Sequence, residues 1–161
     1  MTDVLHTLLR KRIRWHEEDP FADWAGLSMS ISVFDHRLTE VEAKESPIMF
    51  YQLAREEGAE TEYLKGEKIW LDFYGELSRG GAAITIPGSQ RMAQVRAESG
   101  RLKRTIIASL REWRHMNVVF YTYALRAVGG YDRTDSLLAS TSEIRDQVAE
   151  IARRAELFVL T

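Results

Sequence analysis

The chain has 161 residues, 45% hydrophobic and 29% charged, with no cysteine and a formal net charge of −2. This length and composition predict one globular domain, 1–161, able to bury a core without cross-links. Disulfides and thiolate metal sites are excluded, and the slightly acidic balance gives no bulk attraction to nucleic acid.

Val4, Leu5, Leu8, Leu9 and Ile13 recur at helical spacing and predict a first helix over 2–17. The first residues contain no apolar run of signal-peptide length. No stretch approaches the roughly 18 apolar residues of a spanning helix, so a cytoplasmic chain without a membrane span is expected. Arg10 and His16, with five residues between them, resemble the arginine–histidine pair of HEPN ribonucleases. That resemblance implies a helical, dimeric nuclease with its site at those two residues.

Asp19-Pro20 and Ser46-Pro47 each set a capping side chain before a proline, the pattern of a helix start. Between them Leu27–Val33 alternates apolar residues with serine, which suits a strand. The wider frame Leu27, Ile31, Phe34, Leu38 and Val41 is a helical seam, and it covers more of the chain. Helix is therefore the expectation there. Residues 47–78 continue as helix, kinked at Gly58 or Gly66, with Trp70, Phe73, Tyr74 and Leu77 on one face.

The stretch "SRGGAAITIPGSQ", 78–90, reads as a connector. Gly80 or Gly81 ends one helix, Ile84-Thr85-Ile86 is extended, Pro87-Gly88 turns the chain and Ser89 caps the next helix. That helix is predicted over 89–128, on the seam Val95, Leu102, Ile106, Trp113, Met116, Phe120, Tyr123 and Ala127. After "GGYDRTD" a last helix is predicted over 135–159, with Ile144, Val148, Ile151, Ala155 and Phe158. The sum is an all-α antiparallel bundle of four or five helices with one long central helix. At 1.5 Å per residue that helix would reach about 60 Å, beyond its own partners. A homodimer follows as the expected assembly.

Charge is segregated along the chain. Residues 35–78 carry 11 acids and 5 bases, whereas residues 79–128 carry 9 bases and 2 acids. In a helical hairpin these charges would pair with one another. The functional alternative is an anionic partner held by Arg91, Arg101 and Arg104, with Ile84 and Ile86 as an apolar contact. A protein partner fits better than nucleic acid, because the bases scatter around a helix. The expected function is thus a non-enzymatic interaction or regulatory module that binds a macromolecule and self-associates, with no cofactor and no catalytic residue. The alternatives are the HEPN-like ribonuclease on Arg10 and His16, and a metal-binding four-helix bundle. The latter would use Glu112 and His115, a Glu-x-x-His pair one helical turn apart.

Overall fold

The structure, a computed structural model, describes residues 8, 20–21, 26–89, 91–97 and 99–160. The chain begins its described course with strand β1 (Ser28–Ser32), followed by helices α1 (Glu40–Glu45), α2 (Tyr51–Glu56) and α3 (Glu60–Leu77). The hairpin β2 (Ala82–Thr85) and β3 (Met92–Val95) leads to α4 (Gly100–Leu110). Three strands come next, β4 (Asn117–Phe120), β5 (Leu125–Val128) and β6 (Thr134–Ala139). Helix α5 (Ser142–Arg154) and strand β7 (Phe158–Leu160) end it. The strands form one antiparallel seven-stranded sheet in the order β3-β2-β4-β5-β6-β1-β7.

The all-α bundle is overturned by this sheet. The largest correction falls on 89–128, where β3, α4, β4 and β5 replace the long helix. Asn117–Phe120 and Leu125–Val128 are short apolar runs joined by a turn, and their cross-strand partners decide their conformation. Ser28–Ser32 is likewise a strand and not a helix. Met29 and Ile31 enter the core while the serines take the opposite side, and β6 and β7 flank it.

Helix starts are also redistributed. Ser46 closes α1, and the box that opens α1 is Thr39 with Glu42. Gly58, at φ 72°, separates α2 from α3. Ser89 caps no helix: its Oγ accepts from the Arg91 N–H at 3.0 Å, inside the β2–β3 hairpin. Pro87 and Gly88 (φ 73°) occupy the central positions of that turn, which the Ser89 N–H closes on the Ile86 carbonyl. The last helix starts after β6, where Thr141 accepts from the Ile144 N–H.

One face of the sheet is covered by α3, α4 and α5, whose Trp70, Phe73, Tyr74, Leu77, Leu102, Ile106, Leu110, Val148 and Ile151 share a core with Ile31, Ile84, Val118, Phe120, Leu125 and Leu137. On the other face Val128 and Leu138 pack with Leu8 and Phe21. The predicted apolar face of α3 is present and fully buried. No helix among the described residues is long and apolar enough to cross a membrane.

One polar contact lies inside the helix-side core. Tyr74 donates its hydroxyl to Asp135 Oδ2 at 2.5 Å, and the Gly130 N–H donates to Oδ1 at 3.1 Å. Burial pushes the Asp135 carboxyl up to about 6 and raises the Tyr74 hydroxyl well above its ordinary value. Folding therefore opposes ionisation of Asp135. Its contribution to stability is full below about pH 4 and is lost as the pH rises through about 6. The loss amounts to about 3 kcal/mol. Asp135→Asn should flatten stability over this interval, as urea titrations at both ends of it will show.

Candidate functional site

Among the described residues, only Arg111 of the basic segment pairs with the acidic one, on Glu67. Arg79, Arg91, Arg96, Arg101, Lys103, Arg104 and Arg114 are all exposed, and among the described residues none has a carboxylate partner. Other acids of the acidic segment's helices pair within their own helix, as Glu40–Lys44, Glu62–Lys65 and Lys68–Asp72. The fold explains this. With α4 only 11 residues long and the rest of the segment in strands, no acidic helix runs the length of the basic segment.

The bases fall at the ends of β3, on α4 and beside the α3–α4 groove. Arg91 and Arg96 flank β3 at the end of the sheet. Four residues separate β3 from α4, which Ser99 caps by accepting from the Leu102 N–H at 3.2 Å. Leu102, Ile106 and Leu110 of α4 face the core, and this leaves Arg101, Lys103 and Arg104 on its outer surface. Lys103 also borders a groove with Arg79, Asp72 and Glu76 between α3 and α4. Ile84 is not on this surface: it is 2% exposed and belongs to the core, whereas Ile86 is half-buried beside the turn. The alternation of β2 places Ile84 inward, so it offers no contact to a partner.

At the far end of α4 lies a different arrangement. Arg111 forms a bidentate pair with Glu67, Nε to Oε2 at 2.7 Å and Nη2 to Oε1 at 2.8 Å. Its guanidinium lies 3.8 Å from the Tyr51 ring centre and 5.5 Å from that of Trp113. Tyr51 meets Tyr63 at 5.4 Å, and Arg133 lies 4.7 Å from the Tyr63 ring centre on α3. Arginines and aromatics thus interleave from Trp113, 67% exposed, down to Arg133, 4% exposed. Gly66, read from the sequence as a possible kink, is instead where a side chain would collide with the Arg133 guanidinium. Trp113 and Tyr51 open on a cleft of about 570 Å³, shared with Gln52, Arg55, Glu56 and Glu60.

Glu112 and His115 do not share a helical face, because α4 ends at Leu110 and Glu112 is left-handed at φ 56°. Each side chain instead holds the β5–β6 connection. Glu112 Oε1 accepts from the Asp132 N–H at 3.3 Å, and His115 Nδ1 lies 3.0 Å from the Gly129 carbonyl. No three potential ligands converge on a metal position among the described residues. The four-helix bundle that a Glu112–His115 metal site required does not exist. Arg10 and His16 lie outside the described residues.

The sequence shows the basic residues but not that they stay unpaired. Missed altogether are Tyr51 and Arg133, whose association with Trp113 depends on α2, α3 and the β5–β6 connection meeting. The only local signal was the density of arginine and aromatic residues. No protein-family model, curated protein or solved structure matches this chain.

The Arg111–Glu67 pair is mostly shielded from water, so removing one partner strands the other. Glu67→Ala is expected to cost about 3 kcal/mol. Trp113→Ala, at an exposed position, should stay within about 0.5 kcal/mol of the parent. Urea denaturation of the two variants checks the contrast.

Proposed function

We propose that this protein is a non-enzymatic interaction module that binds an acidic protein partner along α4 and the adjoining edge of the sheet. The observation that carries this reading is the run of exposed bases that have no carboxylate partner among the described residues, Arg91, Arg96, Arg101 and Arg104 included. Unpaired surface cations raise the potential locally and steer an anionic partner. Trp113 and the cleft at the end of α4 add the residue types, Trp, Tyr and Arg, in which binding energy concentrates. Trp113 lies beside a guanidinium that Glu67 holds in place, so part of the contact surface is set before binding.

The same bases argue against a two-fold homodimer through this face. An isologous contact sets a patch against itself, and here it would bring the exposed bases of β3 and α4 against their own copies. The long helix that made a dimer the expectation is absent. Nucleic acid is the competing anion. The bases divide between β3 and α4 of a chain of net charge −2, and this favours a protein of opposite charge over a polyphosphate.

Fluorescence anisotropy with labelled oligoglutamate, oligolysine and oligothymidylate tests the reading. Oligoglutamate should bind with a salt-dependent affinity, and Arg101→Glu/Arg104→Glu should weaken it roughly tenfold. Oligolysine should not bind. Tighter binding of oligothymidylate than of oligoglutamate would move the assignment to nucleic acid.

A further inference from the structure

Among the described residues β3 ends the sheet and pairs on one side only, with β2. The Ile86 N–H donates to the Arg91 carbonyl at 2.9 Å, and in an antiparallel ladder such bonding recurs at every second residue. Ala93 and Val95 therefore bond inward to β2. Met92, Gln94 and Arg96 turn their N–H and C=O groups to the open edge. The register with β2 runs from Met92 to Val95 without a bulge, and no proline interrupts it. Two of the usual devices that blunt an edge strand are thus missing.

What the edge does carry is charge. Arg91 precedes β3 and Arg96 follows it, both exposed and without a carboxylate partner among the described residues. Their side chains fall on opposite faces of the sheet, Arg91 with Ala93 and Val95, Arg96 with Met92 and Gln94. We propose that β3 is a strand-addition site for an extended acidic segment of a protein partner. This rests on the basic-face reading above and gives it a binding mode.

The occupant follows from charge. A second copy of β3 paired about a two-fold axis would gather arginines of both chains at each end of one short ribbon. Residues 91–97 hold no carboxylate that could offset those charges, so charge disfavours that pairing. An acidic strand reverses the sign at both ends, and carboxylates on either of its faces find a cation. Main-chain bonds to Met92, Gln94 and Arg96 would supply affinity, and the arginines would supply selection. Arg101 and Arg104, just beyond the β3–α4 connection, extend the same surface.

The test uses the full chain and labelled peptides in fluorescence anisotropy. The probes are a peptide of alternating glutamate and valine, its lysine–valine counterpart, the glutamate peptide N-methylated on all backbone amides, and oligothymidylate. Strand addition predicts that the glutamate peptide binds and the lysine peptide does not. N-methylation should weaken binding roughly tenfold or more although charge is unchanged. Gln94→Pro, which removes an outward N–H and no inward one, should do the same. Arg91→Glu/Arg96→Glu should also weaken binding.

Equal binding of the methylated and unmethylated peptides overturns strand addition, and this comparison needs only the parent protein. If Arg101→Glu/Arg104→Glu still weakens both peptides, the basic-face reading survives that failure. If neither arginine pair alters binding, both readings fall. Binding of oligothymidylate without binding of the glutamate peptide overturns the proposal in favour of nucleic acid.

Discussion

Tyr74 is enclosed by three elements at once. Within α3 it stacks on Trp70 at 5.5 Å, and across to β4 it stacks on Phe120 at 5.6 Å. Its hydroxyl reaches Asp135 on β6. These contacts fix the roll of α3 about its axis and its height above the sheet. α4 and α5 both pack against α3 and the strands beneath, so their positions follow from it. A fully buried carboxyl is costly, and here a phenol and a backbone amide share its solvation. The same amide belongs to Gly130, at the start of the connection that carries Arg133 back to α3. Core packing and the arrangement around Trp113 are therefore linked through one short segment.

That segment is held in an unusual backbone. Asp132 and Arg133 are consecutive left-handed residues, at φ 54° and 53°, and Glu112 beside them is a third. Such conformations cost of order 1 kcal/mol or more each and persist only where the surroundings impose them. Here they are imposed from both ends, by Asp135 on Gly130 and by Glu112 on Asp132. Arg133 is buried with Nε and Nη2 lacking hydrogen-bond partners among the described residues, while its Nη1 reaches the Ile48 carbonyl at 3.4 Å. The face of Tyr63 compensates in part. Strain and an under-solvated cation thus meet at the end of α4 where Trp113 is exposed.

The legible parts of the fold are those set by local chemistry. Trp70, Phe73, Tyr74 and Leu77 recur one turn apart on a long segment, and α3 forms where that pattern lies. The turn at Pro87-Gly88 follows from ring geometry and the extended conformation from β-branching; the turn is present, and Ile84 and Thr85 of the expected Ile84-Thr85-Ile86 are strand. What failed was any inference that turned a spacing of four and three into a continuous helix. Val95, Leu102, Ile106, Phe120 and Ala127 keep that spacing, yet they fall in β3, α4, α4, β4 and β5. Their conformations depend on pairings such as Ile84 with Val118, which no local window contains. The basic surface was legible as composition. Its exposure was not, because it depended on which elements the acidic helices pack against.

Strand order has a further consequence, for how the chain is made. β1 lies between β6 and β7, and Ser30 is opposite both Ser136 and Leu160. Neither neighbour exists while the first two-thirds of the chain is being synthesised. The β2–β3 hairpin and the β4–β5 pair can close as soon as they emerge, whereas β1 must wait, extended and apolar at Met29 and Ile31, for residues 134–160. Contacts of such sequence separation slow the search for the native state. The serines that alternate through β1 keep half of its surface polar during that wait, and this limits the self-association of an unpaired strand.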